Sequence, residues 1–261
     1  MAMDTLEFLD GDFRAYLEQV LDLASRRADQ AEVFGVQSVH TPVTFEANRL
    51  KLVETKETRG ASLRVIVGGK VGLASATRLD APQDLVEEAL AVARLGGPVG
   101  YELPGPAAFP ALALYHEDAA SWEPAAMVEA GRGMIAALLE ENGELLCEAH
   151  LGKSVEGIAL LNSQGLVAGY QKTSVGASLG ANWIRGTDIL NVWETDASLR
   201  LDLDFRRLVQ TVAEKVRLAE RTVVPPTAQM PVIFTPKAVS STLLEALEMA
   251  LNGKLAWEGA S

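Results

Sequence analysis

The chain is poor in cysteine, in histidine and in positive charge. A single cysteine, Cys147, excludes an internal disulfide framework and any multi-cysteine metal site. The sequence places it as a small, semi-buried residue at the end of a helical region, with no reactive role. The three histidines, His40, His116 and His150, are scattered, and no spacing among them brings two to one metal through local structure. Tyr115-His-Glu-Asp118 sets one histidine beside two acids, but in a loop entering a helix, where it reads as a surface cluster. With 23 basic residues against 35 acidic ones, the formal charge is -12. That balance argues against direct nucleic-acid binding, which rests on clustered Lys and Arg. The basic pairs Arg26-Arg27 and Arg206-Arg207 fall in predicted helices beside acids and read as solvated faces. Apolar runs such as Gly133-Met-Ile-Ala-Ala-Leu-Leu139 are far shorter than the ~20 residues that span a bilayer, so no membrane segment is expected. The acidic N-terminus lacks the basic flank and apolar stretch of a secretory signal, which predicts a cytoplasmic protein.

What is present fits an ordinary globular chain. At 261 residues, 48% hydrophobic and 22% charged, it has the length of one or two domains. A chain of this size buries roughly three quarters of its unfolded surface. Comparison of the chain with itself shows a repeat: Gly60-Ala-Ser-Leu63 returns as Gly176-Ala-Ser-Leu179, an offset of 116 (176 − 60). At that offset Leu50 faces Leu166, Thr58 faces Ser174 and Asp80 faces Asp196.

In the first copy, Thr41-Pro42 precedes the alternating run Val43-Thr-Phe-Glu-Ala47. Leu63–Val67 and Lys70–Ser75 flank Gly68-Gly69, which supplies positive φ at both positions of a tight hairpin turn. A helix follows to about Leu95, with Asp80 expected as its cap and Gly96-Gly97-Pro98 as its stop. In the second copy Asn162-Ser-Gln-Gly165 and Arg185-Gly186 make turns. Its helix runs from Phe205 to Arg221 and is ended by Val224-Pro-Pro226. Further amphipathic helices span 11–29 and 124–141. Neither Gly68-Gly69 nor Gly96-Gly97 belongs to a phosphate-binding pattern. The fold class is therefore α+β: two related strand-rich units, each followed by a helix, on antiparallel or mixed sheets with flanking helices. The expected division is residues 1–102 for the first unit, a Pro/Gly-rich linker at 103–122, and 123–261 for the second.

Ala31-Glu-Val-Phe34, Lys56-Glu-Thr-Arg-Gly-Ala-Ser-Leu-Arg-Val-Ile-Val-Gly-Gly-Lys-Val-Gly-Leu-Ala-Ser75, Asn162-Ser-Gln-Gly165 and Pro231-Val-Ile-Phe-Thr-Pro236 together resemble the TldD/PmbA (TldD/TldE) family, whose older label is modulator of DNA gyrase. The resemblance runs from about residue 31 to the end. It implies a cytoplasmic metallopeptidase system of two related subunits, associated with proteolysis and peptide maturation. The TldD-type subunit carries a His-Glu-x-x-x-His helix, and the PmbA/TldE type lacks it.

Laid on that pattern, Leu244-Glu-Ala-Leu-Glu-Met249 keeps Glu245, while Leu244 and Met249 stand where the histidines would. Zinc takes imidazole, thiolate or carboxylate at about 2.0 to 2.3 Å, and neither leucine nor a thioether meets that need. Positions five apart are also turned ~140° from each other on a regular helix, and the chain has the helix former Glu248 where the family usually places glycine. A continuous helix is expected, with Glu245 a solvated charge and Asn252-Gly253 its terminus. No catalytic, cofactor or metal residue is therefore expected in this chain, and zinc only in a TldD-type partner. Family members continue into a further strand-rich domain, so the end at Trp257-Glu-Gly-Ala-Ser261 implies a short gene or a fragment. The resulting expectation is a non-catalytic PmbA/TldE-type subunit or fragment that associates with a TldD-type partner or with itself. Its strand edges could receive an extended peptide. The alternatives are a zinc metallopeptidase with ligands elsewhere and an acidic regulator that binds DNA gyrase.

Overall fold

A computed structural model describes residues 6–221, 223–224 and 226–260. The N-terminal five residues and Pro225 of the expected helix stop lie outside the described residues. The chain forms two compact units, Met1–Glu220 and Arg221–Ser261.

The first unit runs α1 (Gly11–Ser25), β1 (Gln30–Glu46), β2 (Arg49–Val53), β3 (Lys56–Val67), β4 (Lys70–Ala76), α2 (Pro82–Leu95), α3 (Glu117–Ala120), α4 (Pro124–Glu141), β5 (Leu146–Asn162), β6 (Val167–Arg185), β7 (Asp188–Ser198) and α5 (Phe205–Leu218). All seven strands join one antiparallel sheet in the order β4-β3-β1-β5-β6-β7, with β2 paired to the end of β1. Shifting β1 by 116 gives β5 at both ends (146 − 30 and 162 − 46). Val39 pairs with Val155, and 155 − 39 is again 116, so a local two-fold axis passes between these two residues. The repeat is thus a pair of α-β-β-β-α units related about the β1–β5 seam.

Alternation assigns the faces. Away from the strand centres and ends, odd-numbered residues of β1, β3, β5 and β6, such as Val33, Phe45, Leu63, Ala149 and Leu179, are buried, and all the helices that carry core residues cover this face. The helices α1 and α2 pack Phe13, Leu17, Leu85 and Ala89 over one half, and α4 and α5 pack Met127, Leu138, Leu208 and Val212 over the other. Each fully buried side chain of this size contributes about 1.5–3 kcal/mol. Among the described residues of this unit, no helix that carries core residues covers the opposite, even-numbered face.

Local signals explain the connections. Asp10 caps α1 by accepting from the backbone N–H of Asp12 and Phe13 at 3.0 and 3.3 Å. Gly68 and Gly69 take φ of 56° and 72°, the double positive turn expected between β3 and β4. Three expectations need correction. Asp80 does not cap α2: the cap is Ala81 with no side-chain bond, Pro82 opens the helix, and Asp80 instead accepts from Arg78 at 3.1 Å. Cys147 lies in strand β5 and is fully buried, because its odd position points into the helix-covered core. The amphipathic helices also stop earlier than their patterns suggest, α1 at Ser25 and α5 at Leu218.

The division expected at 103–122 falls inside the first compact unit, since β1 and β5 pair from Glu32↔Asn162 to Phe45↔Ala149. That segment is a strap. The Leu103 N–H donates to Gln30 Oε1, Asn162 Nδ2 donates to the Pro104 carbonyl, and the Thr173 N–H donates to the Leu114 carbonyl. Pro104, Pro106 and Pro110 bring no N–H, and side chains of the strands supply part of the bonding.

The second unit holds a helical run of α6 (Pro236–Ala238), a π-helical stretch (Val239–Leu244) and α7 (Glu245–Ala250), then α8 (Gly253–Trp257). None of these helices carries a buried residue. The expected continuity from 239 to 250 holds, but its first half is wound as π-helix instead of α.

Candidate functional site

The helical run 239–250, on which the sequence resemblance lays a degenerate histidine pattern, is exposed from Ser240 onward. Leu244, the last π-helical residue, is 44% exposed and Met249 is 68% exposed; Glu245, which opens α7, is exposed as well. One carboxylate between a leucine and a thioether does not fit a zinc ion. Among the described residues no three His, Cys, Asp or Glu side chains are grouped to hold a metal.

The bare face of the sheet is the other candidate. Two shallow troughs lie on it, and the Gly-Ala-Ser repeat forms the floor of each. One, of about 320 Å³, is lined by Phe34, Val36, Gly60, Ala61, Ser62, Ser75 and Thr77. The other, of about 380 Å³, is lined by His40, Thr44, His150, Gly152, Ser154, Ser174, Gly176, Ser178 and Thr195. They are mates under the 116 offset, but their chemistry has diverged: His150 stands where the first trough has Phe34, and Gly152 where it has Val36. The first trough is the more apolar, walled by Phe34 and Val36 beside the hydroxyls of Ser62, Ser75 and Thr77, and the second carries two imidazoles and more hydroxyls.

Structure thus brings His40 and His150 to one trough, which spacing alone does not show. The signal was the parity of two even positions on strands that pair with each other. His40 Nδ1 lies 3.1 Å from the Lys153 carbonyl oxygen, and the strand register pairs His40 with Ser154 and His150 with Thr44. The two imidazoles are therefore four residues apart along the strands, too far to share a metal. His116 sits apart at the cap of α3, where Tyr115 donates to Glu117 at 2.9 Å and that bond raises the Tyr115 pKa. Between the troughs Lys172 and Glu156 pair at 2.8 Å, and the hydrogen bond holds the lysine pKa above its ordinary value. Burial pushes the Cys147 thiol up to about 11, so it is neutral and unreactive at physiological pH.

The sheet edges differ as well. On β7 the outward backbone is occupied: Lys215 Nζ donates to the Trp193 carbonyl at 2.7 Å and to Glu194 Oε2 at 3.0 Å. The N–H groups of Thr195 and Ala197 donate to Glu194 Oε1 and Asp196 Oδ1, at 3.0 and 3.1 Å. On β4 the start of the edge is covered, the Val71 N–H donating to Gly97 and the Val99 N–H to the Gly69 carbonyl. Beyond it, Leu73 and Ser75 share the outward parity of Val71.

The first repeat is where sequence comparison finds a match. Residues 31–93, from β1 through α2, match the family model for PmbA/TldA metallopeptidase domain 1. Over that stretch the chain is similar to a PmbA/TldD-family first domain. No curated protein matches the chain in sequence. Among solved structures, TldE from Thermococcus kodakarensis is similar at 21% identity and TM-score 0.72, over 80% of this chain and 48% of that one. A proposed modulator of DNA gyrase from Bacteroides thetaiotaomicron is similar at 20% identity and TM-score 0.79, over 94% and 58%. One from Thermotoga maritima is similar at 14% identity and TM-score 0.71, over 82% and 50%. At these identities the likeness establishes a shared fold, and the chain spans about half the length of the structures it matches.

Proposed function

We propose that this chain is a non-catalytic, TldE-type portion of a two-subunit metallopeptidase system and acts by association with a TldD-type subunit that supplies the zinc. The observation that carries the reading is the helical run 236–250: it has the family's place in the chain, yet Leu244 and Met249 provide no ligand for zinc. Similarity of fold to a protein named TldE is in keeping with it. Its role is then structural, forming part of the groove that the partner's metal site serves, with peptides as the substrate class and the cytoplasm as the setting.

The test is zinc content and peptidase activity of the purified chain, alone and mixed with a TldD-type subunit from the same genome, with size-exclusion mass to report association. A metal-free, inert chain that co-elutes with the partner and raises its activity is the expected result. Stoichiometric zinc and cleavage by the chain alone would overturn the proposal and favour ligands outside 244–249.

A further inference from the structure

The two-fold repeat makes the two sheet edges comparable residue by residue. Arg64 pairs with Leu73 and Gly180 with Trp193, while Ser62 pairs with Ser75 and Ser178 with Thr195. Since 180 − 64 and 178 − 62 are both 116, Leu73 is the equivalent of Trp193 and Ser75 of Thr195. On β7 both positions are capped, by Lys215 and by Glu194. On β4 the equivalent of Glu194 is Ala74, since Leu63↔Ala74 corresponds to Leu179↔Glu194. Counted from the helix starts at Pro82 and Phe205, the equivalent of Lys215 is Val92. Neither Ala74 nor Val92 can bond a backbone group, so β4 lacks the device that closes β7. A bare strand edge of this kind is a template for another strand.

The surroundings of that edge specify what it takes. On the bare face it borders the apolar trough with Phe34 and Val36, beside the half-exposed Leu73. On the helix-covered side a second pocket, of about 300 Å³, is lined by Ser75, Thr77, Arg78, Asp80, Asp84 and Glu88. Arg78 pairs with Asp80, which leaves Asp84 and Glu88, one turn apart on α2, to give the pocket its negative charge. Successive side chains of an added strand point to opposite faces, so one set meets the trough and the other meets these carboxylates.

We propose that the β4 edge at Leu73–Ser75 is a strand-addition site for an extended peptide with alternating apolar and basic residues. The site belongs to the isolated chain and needs no metallopeptidase partner, so it stands or falls separately from the subunit reading.

The experiment uses a labelled alternating Lys-Val hexapeptide and its Glu-Val counterpart, with fluorescence anisotropy for affinity and amide exchange by NMR for location. The Lys-Val peptide is expected to bind in preference to Glu-Val and to slow exchange at the Leu73 and Ser75 amides. Leu73→Pro removes one outward donor, a change an edge strand tolerates, and should weaken binding about tenfold. Asp84→Lys with Glu88→Lys alters only exposed positions and should reverse the preference between the peptides. Absence of binding, binding without protection at these two amides, or affinity indifferent to both variants would overturn the proposal.

Discussion

The β4 edge is held in place by a close approach of strand to helix, and one methyl group tests it. Gly72 faces α2, and a Cβ there would lie 2.5 Å from the Ala93 nitrogen and 2.8 Å from the Ala93 Cβ, with the Ala89 carbonyl oxygen closer still. Ordinary contacts need about 3.5 Å, and two of these obstacles are backbone, so α2 must move by roughly 1 Å instead of a side chain turning aside. Overpacking of that kind costs about 1–3 kcal/mol. Replacing glycine returns about 0.4–1 kcal/mol through the unfolded chain, which leaves a net loss of about 1 kcal/mol for Gly72→Ala. For a unit of this length that is a fall in Tm of roughly 2–4 °C. Urea unfolding followed by circular dichroism should show a lower midpoint at unchanged slope. Gly97→Ala and Gly100→Ala are the controls, because nothing lies within 4 Å of their added Cβ; they should stay within about 0.5 kcal/mol. If Gly72→Ala matches those controls, α2 does not sit on β4 as described, and the account of the edge falls with it.

Lys215→Met keeps the aliphatic stem but removes the ion pair to Glu194, whose side chain is 9% exposed, and the bond to the Trp193 carbonyl. Because the lysine itself is 37% exposed, the expected loss is about 1–3 kcal/mol and not the full cost of breaking a buried pair; urea unfolding measures it. Cys147 should resist a thiol reagent in the native protein and react at the rate of unfolding. Its folded pKa is raised to about 11 from 9.0 by burial, so only the unfolded chain releases the proton between those values. Stability should therefore fall as pH rises from about 9 to about 11, and Cys147→Ala should remove that part of the slope. A slope unchanged by the substitution would show that the thiol is not protected.

Much of the frame was legible because it rests on local chemistry. The Gly68-Gly69 and Asn162–Gly165 turns, the span of α4 and the repeat offset follow from turn residues, apolar period and self-comparison. The limits of the strands and the joining of both repeats in one sheet are set by pairing at a distance, which no local pattern encodes. The linker composition of 103–122 was real, but proline also suits a strap whose carbonyls are bonded by Asn162 and Thr173. Cys147 reads as near a helix because the apolar run Leu145-Leu-Cys147 shows no alternation and follows a helical segment closely. The second trough escaped because His40 and His150, 110 positions apart (150 − 40), come to one trough only through the β1–β5 register.

A duplicated frame gives each half of the molecule its own control. The two halves share the 17-residue seam strands β1 and β5, the tight turns after β3 and β6, and the Gly-Ala-Ser floor, so those features answer to folding. What differs at equivalent positions is not required by the frame: Phe34 against His150, Val36 against Gly152, and Ala74 with Val92 against Glu194 with Lys215. The last difference is the informative one. A bare edge exposes a chain to unwanted pairing, and one half of this protein carries a built device that prevents it. The corresponding positions of the β4 half hold Ala74 and Val92, so closing that edge as β7 is closed calls for a glutamate and a lysine there. That β4 stays open beside the Phe34–Val36 trough and the Asp84 and Glu88 carboxylates sets it apart from β7, and makes it the edge at which a second strand can enter.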